Sequence, residues 1–534
     1  MNRSLLFVAV CLLAACSVRK NQNNPKTQFD HIEGIPQLSY EQMKEDHDSL
    51  VSYIKQVSPV IYFNEQVRGI NFNHYAQKLR KSIHTQTTMP EYVQIVEKTL
   101  NAAQDGHSNR LGKWHLNLLK DNWIPKKIVK DIDTASIEYG YQYADYLSKS
   151  FYTKLNLDLV YTSGEYYNLL PFSYKGKEFP ANMKLLSCNG IPIHKFVKNK
   201  IELSTPLRWD RINKRSYHEK FYMPAEIYEN GSLKLVFLTK KHKQYQLDIV
   251  KNDTVTFLTK KNQEYGYNSE KTPLVTHYFE KEEIFYAKLP MMVEEYGDSL
   301  AKRFEPIMTK HKVKAVVLDI RGNPGGSDNT YANFFKKILK DTLKQNVVVG
   351  RNFSPYNQKF FKINRDSVLN RSSHTFKVNV TTLKKPEMYY ISIPDFKFVV
   401  PDTVNSAFSG KVYILQDRFI YSSASNLSNL AYHNEQLVSI GETPDLLGGL
   451  QANPTVLILP HSKIIFRIEP QIDFTNSKTP ADIFQNNVEY PISYSIEQLN
   501  LRLTTKDDIF GKDFLLKYDP MFRKALELEQ AREK

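Results

Sequence analysis

The sequence predicts a multidomain α/β protein with an N-terminal helical region, a β-rich middle region and a C-terminal α/β region. The chain has 534 residues, of which 41% are hydrophobic, and this is enough for about two to four domains. Apolar residues recur at helical spacing up to about residue 103, and short strand-like runs dominate from about 137 to 275. Strands alternate with helices after residue 273, which is typical of a layered α/β domain.

The first residues have the pattern of a signal peptide. An apolar run from Leu5 to Leu13 follows Arg3 and is too short to span a membrane. The segment Leu13-Ala14-Ala15-Cys16 resembles a bacterial lipobox, although an ordinary secretory signal would look similar. We therefore expect residues 1–15 to be removed, Cys16 to carry the lipid anchor and residues 16–39 to form a polar tether. Ser17 favours a periplasm-facing position on the outer membrane of the cell envelope.

Cysteine content and charge exclude several classes of protein. Cys188 is the one thiol left after the signal peptide and the lipidated cysteine, so a disulfide framework and a cysteine-based zinc site are excluded. The net charge of +15 comes from scattered lysines and arginines rather than from one cluster. We expect a solvated basic surface and no nucleic-acid partner.

The first two regions each contain one informative turn. Residues 46–57, 72–82 and 90–103 have helical spacing, and the helical region, 40–110, ends at the polar turn Asp105-Gly106-His107-Ser108. In the β-rich region, 111–275, residues 185–193 predict a strand, an Asn-Gly turn and a strand. This segment is similar to part of a PDZ domain, which binds peptides by adding a strand to its sheet. An ordinary hairpin is the alternative.

Two polar loops follow buried strands of the C-terminal region, 276–534. The first is Asp319-Ile320-Arg321-Gly322-Asn323-Pro324-Gly325-Gly326, whose glycines suit an oxyanion hole and whose spacing does not fit a phosphate loop. The second runs from Asp417 to Asn426 between a strand and a helix, where a serine hydroxyl is exposed. Serine is also a common helix cap, so these loops alone do not establish a reaction.

The order of these motifs resembles the C-terminal processing (tail-specific) peptidase family. That family has an "L-D-x-R-x-N-x-G-G" loop, a serine segment that begins "V-L-x-[ND]-R", a "V-x-G-E-x-T" segment and a tail of the form "T-x-x-D-x-x-x-G-K-D". The corresponding segments here begin at Leu318, Ile414, Ser439 and Thr504. The resemblance covers the core from about residue 284 to 518, and the Asp105-Gly106-His107-Ser108 turn extends it toward the N-terminus. It implies a crotonase-like, ClpP-like peptidase core.

The resemblance assigns roles to four residues. An ungapped match places the nucleophile on Ser422, and a gap of one residue would move it to Ser423. The Ser423 N–H and that of Gly325 or Gly326 would then form the oxyanion hole. No metal or organic cofactor is required by this chemistry.

The general base departs from the commonest pattern of the family. Many relatives use a lysine after the Gly-Glu pair, but residues 443–449 contain none. The tricorn-like branch uses a histidine from the preceding domain, and His107 is the matching residue. Histidine also suits this role because its ordinary pKa is about 6.5. The third, orienting group is left open among Asp105, Ser108 and Glu442.

The resulting expectation is a serine endopeptidase that acts on exported peptides or unfolded proteins. Its oligomeric state is not predicted. The alternative is a catalytically silent peptide-binding lipoprotein, which the missing lysine and Asn426, near a position where relatives often have glutamate, would favour.

Overall fold

The structure is a computed structural model that describes residues 32–532, apart from several stretches in that range. These stretches are residues 151, 154–156, 158, 219–222, 225–226, 264–265, 267–271, 365–387, 403–407, 444–449, 451–454 and 485–487. The predicted signal peptide, Cys16 and most of the predicted tether lie outside the described residues.

The N-terminal region is helical, as the sequence predicts. Its elements are α1 (Tyr40–Val57), α2 (Val60–Phe63), α3 (Phe72–Lys81), α4 (Met89–Ala102), β1 (Asn109–Arg110), α5 (Lys113–Leu118) and α6 (Thr134–Ser150), with π-helical turns at Asn64–Arg68 and Leu119–Trp123. Helices α1 and α4 begin at capping boxes, in which the side chains of Ser39 and Thr88 accept hydrogen bonds from the first turn.

The prediction of strand-like structure from about residue 137 is wrong for residues 137–150, which belong to α6. Ile137, Ala144 and Leu147 are buried and recur at helical spacing. The many tyrosines of this segment favour a strand by propensity, but the helical face that packs into the core determines the outcome.

The middle region consists of short strands and one helix. They are β2 (Tyr152–Thr153), β3 (Leu159–Thr162), β4 (Glu165–Asn168), β5 (Phe172–Tyr174), β6 (Lys177–Phe179), β7 (Met183–Cys188), β8 (Ile191–Pro192), α7 (Ile193–Asn199), β9 (Arg208–Asp210), β10 (Arg215–Tyr217), β11 (Met223–Pro224), β12 (Ser232–Leu238), β13 (Gln244–Val250) and β14 (Thr256–Phe257). The predicted hairpin is present: β7 pairs with β8 across Asn189 and Gly190, both at positive φ.

The C-terminal region alternates strands and helices. Its elements are β15 (Val275–Phe279), β16 (Ile284–Lys288), α8 (Glu294–Lys310), β17 (Ala315–Asp319), α9 (Asn329–Ile338), β18 (Leu343–Asn352), α10 (Pro355–Phe361), β19 (Met388–Val399), β20 (Lys411–Gln416), α11 (Ser423–Tyr432), β21 (Leu437–Gly441), β22 (Thr455–Ile458), β23 (Ile465–Ile468), β24 (Gln471–Asp473), β25 (Tyr490–Pro491), α12 (Ile496–Thr504), α13 (Lys512–Tyr518) and α14 (Pro520–Arg532).

A six-stranded sheet forms the centre of this region, in the order β15-β16-β17-β20-β21-β25. Each pair of neighbouring strands in this sheet is parallel, except that β15 and β16 are antiparallel to each other. Successive residues of β17 face opposite sides: Val316 packs in the core that includes α8, α9 and α11, and Val317 packs in the core that includes α12, α13 and α14. Both faces are covered, which explains the continuous apolar runs of these strands.

The N-terminal helices share a core with the end of the C-terminal region. Residues of α1, α3 and α4 lie in one cluster with Phe466 and Phe474. A small sheet, β1-β23-β22, joins the same two parts of the chain. The turn that contains His107 immediately precedes β1, so this sheet fixes its position against the C-terminal region.

None of the helices in the described part of the chain is both long and apolar enough to span a bilayer.

Candidate active site

The glycine-rich loop and the serine loop lie side by side, because they follow the adjacent parallel strands β17 and β20. The Gly322 N–H donates to Asp417 Oδ1 at 2.9 Å. In the opposite direction, the Tyr421 N–H donates to the Asn323 carbonyl at 3.1 Å. Loops at the carboxyl ends of parallel strands are the usual place for a site in an α/β fold.

Asp417 joins the two loops through one oxygen. Its Oδ1 also accepts the Phe419 N–H at 3.0 Å. Burial raises the pKa of this carboxyl group to about 6, and the neighbouring Glu442 carboxylate contributes to the rise. Asp417 is therefore a structural acceptor whose charge has a cost in the folded state.

Ser422 occupies a strained position at the start of α11. Its backbone has φ 53° and ψ −125°, which a residue with a side chain rarely adopts. The residue follows β20 and directly precedes the helix, and it is half-buried. A sharp turn between a strand and a helix, with a serine at its apex, holds the hydroxyl group out of the sheet.

The glycine-rich loop packs against Ser422 so closely that Gly325 cannot carry a side chain. Gly325 has φ +99°, and a Cβ atom there would lie 2.6 Å from Ser422 Cβ. Gly326 has φ +139°, and its Cβ atom would lie 2.0 Å from the Met292 carbonyl oxygen. Both positions therefore require glycine, for conformation and for space.

Backbone N–H groups beside Ser422 differ in their availability. The Gly325 N–H donates to Asn323 Oδ1 at 2.8 Å. Among the described residues, the N–H groups of Gly326 and Ser423 have no hydrogen-bond acceptor. Of the two glycines that the motif offers as donors, Gly326 thus has the uncommitted N–H.

The two candidate serines have different surroundings. Ser423 is 2% exposed, and its Oγ is buried without a hydrogen-bond partner among the described residues. Ser422 is half-buried. The Ser423 hydroxyl is thus shielded from an incoming molecule, whereas its N–H is available beside Ser422.

His107 is buried in a tightly bonded turn. Asp105 accepts the His107 N–H at 3.0 Å with one carboxylate oxygen and the Ser108 hydroxyl at 2.6 Å with the other. Ser108 Oγ in turn accepts the Glu469 N–H at 2.9 Å. Burial raises the pKa of Asp105, and these hydrogen bonds oppose the rise. Asp105 and Ser108 therefore hold the backbone of the turn.

Tyr421 connects this turn to the serine loop. Its Oη lies 2.8 Å from His107 Nδ1, and the two rings stack at 4.5 Å between centroids with an interplanar angle of 21°. A Cβ atom on Gly106 would lie 2.1 Å from the same Oη, so glycine is needed at that position. The structure thus brings His107 to the residue directly before Ser422, 314 residues away in sequence.

Sequence reasoning missed Tyr421 and Glu469. A tyrosine before a serine has no chemical signature of its own, and its role depends on the contact with His107. Glu469 follows β23, is 9% exposed and lies beside Ser108. The strand it follows pairs with β1, and no local pattern predicts this pairing.

Glu442, one of the three candidates for the orienting group, is bound to Arg418. Its two oxygens accept Arg418 Nε at 3.0 Å and Arg418 Nη2 at 2.8 Å, and both residues are buried. The Arg418 side chain also donates to the Tyr161 carbonyl at 2.7 Å. Glu442 therefore secures the start of the serine loop, since Arg418 lies within it.

Residues 444–449, most of the stretch in which relatives carry a lysine, lie outside the described residues. Within the described part of the chain, no group of three or more histidine, cysteine, aspartate or glutamate side chains is placed to hold a metal ion.

A strained serine at a strand-to-helix junction, a glycine loop beside it and a histidine at the adjoining residue form an arrangement of the kind found in serine hydrolases. Residues 283–479 match the family model of peptidase family S41. The match covers the region that contains the glycine-rich loop and the serine loop, and it agrees with the family of C-terminal processing serine peptidases that the motifs predict.

Solved structures agree with this fold. The crystal structure of mature CPAF superposes with a TM-score of 0.57, at 10% sequence identity, over 93% of this chain and 99% of that one. The structure of mature CPAF complexed with lactacystin gives a TM-score of 0.55 at 11% identity, over 92% and 98% of the two chains. A comparison with curated protein sequences finds no match. The predicted multidomain α/β fold is confirmed.

Proposed function

We propose that the chain is a serine endopeptidase that hydrolyses peptide bonds through an acyl-enzyme on Ser422, with His107 as the general base. The observation that carries the proposal is the contact of His107 with Tyr421, because Tyr421 directly precedes the strained Ser422 in the serine loop. His107 takes the hydroxyl proton, Ser422 Oγ attacks the peptide carbonyl, and the protonated histidine donates to the leaving amine. Water then hydrolyses the ester by the reverse sequence.

The hydrogen bond to Tyr421 sets a condition on this chemistry. A neutral imidazole carries one proton, and the ring nitrogen without it is the base. If Nε2 is to accept the Ser422 proton, Nδ1 must be protonated and must donate to Tyr421 Oη. We assign this tautomer to His107, with Tyr421 as the group that orients the ring. Asp105 and Ser108 support the backbone of the turn instead.

The oxyanion hole in this proposal consists of the N–H groups of Gly326 and Ser423. Both lack an acceptor among the described residues; the Ser423 N–H lies at the contact between Gly325 and the serine loop, and Gly326 is the next residue of the glycine loop. Asn323 supports the arrangement by accepting the Gly325 N–H, which fixes the loop. Two preset donors stabilise the charge that develops on the carbonyl oxygen.

The substrate class in this proposal is an exported peptide or unfolded protein. The signal-peptide pattern and Cys16 support an envelope lipoprotein that is held on the outer membrane and faces the periplasm. The β7–β8 hairpin resembles the strand-turn of a PDZ domain and would help to present the peptide.

The test is hydrolysis of an unfolded protein by the full chain in detergent, with Ser422→Ala, Ser423→Ala and His107→Ala beside the wild type. A fluorophosphonate label, which reacts with activated serines, is read in parallel. We expect Ser422→Ala and His107→Ala to lose hydrolysis by more than about a thousandfold. Loss of labelling in Ser422→Ala should accompany this, with Ser423→Ala still labelled.

Other outcomes would change the assignment. Labelling that disappears in Ser423→Ala and persists in Ser422→Ala would move the nucleophile by one residue. A wild type that is neither labelled nor active would favour a silent peptide-binding lipoprotein.

A further inference from the structure

An open cleft of about 860 Å³ lies on the sheet that positions His107. Its floor is formed by Val456, Leu457 and Ile458 of β22. The irregular segment 128–132 and α10 with the residues next to it also line the cleft.

The cleft exposes the edge of a strand rather than one of its faces. Successive side chains of a strand point to opposite faces, so three consecutive residues can line one cavity only where the cavity meets the strand edge. In the described part of the chain, β22 is the outer strand of its sheet and pairs only with β23. An unpaired edge presents N–H and C=O groups to which an extended peptide can bind.

The walls of the cleft are apolar and aromatic. Tyr53, Tyr356 and Phe360 are half-buried, and their rings are in contact, with centroids 5.8 and 6.1 Å apart. Ile128, which also lines the cleft, is 40% exposed. These side chains offer apolar surface to the side chains of a bound strand.

Charge selects among extended peptides. Lys130 and Lys362 line the cleft, are exposed and have no ion-pair partner among the described residues. A third cation, Arg351, is held over the Phe361 ring at 3.9 Å. Among the described residues that line the cleft, Asp131 is the one acidic residue. A carboxylate is therefore favoured in the cleft over an amine.

The register of the sheet gives the distance from the cleft to β1, the strand that follows the His107 turn. Asn109, two residues after His107, pairs with Arg467, and Arg467 pairs with Val456. A strand added outside β22 would lie three strand spacings from β1, which is about 14 Å. Four to five extended residues, at about 3.3 Å each, cover this distance.

We propose that this cleft is a second binding site for the substrate polypeptide, which adds to β22 as an extended strand with apolar and acidic side chains. The inference rests on the proposed peptidase function and deepens it. The cleft binds a segment about five residues from the reacting bond and thereby selects long, unfolded chains over short peptides.

Binding can be measured independently of hydrolysis. The protein is the full chain with Ser422→Ala, and the probe is a fluorescein-labelled peptide of about ten residues in which valine alternates with glutamate. We expect Lys130→Glu with Lys362→Glu to raise the Kd about tenfold. The matched control is Lys127→Glu with Lys359→Glu, which makes the same charge change on exposed residues beside the cleft that do not line it. We expect its Kd to stay within about twofold of the parent.

Alternate N-methylation tests whether the peptide binds as a strand. In an added strand, every second N–H points to β22 and the others point away. A peptide methylated at the N–H groups that point to β22 should not bind, and a peptide methylated at the other N–H groups should bind as before. Equal binding by both sets, or equal Kd values for the cleft and control variants, would overturn the proposal.

A kinetic comparison connects the cleft to hydrolysis. The ratio of kcat/KM for an unfolded protein to kcat/KM for a four-residue peptide should fall about tenfold in the cleft variant and stay constant in the control. The binding measurements use Ser422→Ala, so they test the cleft even if the wild type proves inactive. Peptide binding by a chain whose wild type is inactive would therefore support the cleft as a binding site and contradict the proposed hydrolysis.

Discussion

Replacing Tyr421 with phenylalanine tests the orientation of His107 with a small change. The substitution removes Oη, which lies 2.8 Å from His107 Nδ1, and keeps the ring that stacks on the imidazole at 4.5 Å. Tyr421→Phe should leave the fold intact, because the backbone bond to Asn323 and the stacked ring remain. What disappears is the acceptor that favours a proton on Nδ1.

The expected magnitude follows from the burial of the histidine. His107 is 5% exposed, so water has little room to replace the lost hydroxyl. A buried hydrogen bond to a group that becomes charged is worth about 1.5–3 kcal/mol. Each 1.36 kcal/mol is a factor of ten, so kcat/KM should fall about ten- to a hundredfold. The fall should appear in kcat, because the bond acts on the base.

The assay compares hydrolysis and the rate of fluorophosphonate labelling in Tyr421→Phe with those in Tyr432→Phe. Tyr432 ends the same helix, α11, and is 50% exposed, so it controls for the chemical change. Both rates should fall in Tyr421→Phe by a similar factor, with the Tm unchanged within about 2 °C. Rates within twofold of the wild type would show that Tyr421 does not orient the base.

Two further predictions concern the loops around Ser422. Gly325→Ala should abolish hydrolysis and lower the Tm, because the added Cβ atom would collide with Ser422. The control is Gly69→Ala, since Gly69 also has a positive φ, +66°, but a Cβ atom there would have no neighbour within 4 Å; this variant should lower only the Tm. Full activity in Gly325→Ala would refute the close packing. Asp417→Asn keeps the Oδ1 acceptor and removes the buried charge. Because the pKa of Asp417 in the folded state, about 6, exceeds the ordinary value of 3.8, the wild-type protein loses stability as the pH rises between these values. Urea denaturation at pH 4 and pH 7 should show the asparagine variant gaining up to about 3 kcal/mol relative to wild type, and a constant difference would contradict this.

The sequence predicts the central sheet well because its strands are buried on both faces. The run from 313 to 320 predicts β17, and Lys411 to Leu415 predicts β20 to within one residue. A helix is predicted to follow the serine, and it begins at Ser423. Continuous apolar runs leave little freedom in the assignment, and the strand ends place both polar loops on one edge.

The contacts across the site lie beyond local patterns. Gly325 and Gly326 look equivalent in the motif, and the bond from the Gly325 N–H to Asn323 distinguishes them only in the folded loop. Glu442 and Asp105 are both carboxylates near motif residues, and their partners depend on long-range packing. Periodicity and motif spacing report the elements of a chain, not which side chains meet across them.

The site depends on parts of the chain far outside the family match. Residues 283–479 contain Ser422 and the glycine loop but not His107, so this region alone lacks the proposed base. His107 is brought in by the pairing of β1 with β23. Helix α1 strengthens the same connection, since buried Asp46 accepts the N–H groups of His461 and Ser462, in the loop between β22 and β23, at 2.8 and 2.7 Å. The N-terminal helices are therefore part of the proposed catalytic apparatus, because they share a core with this part of the chain and lead into the turn that carries His107.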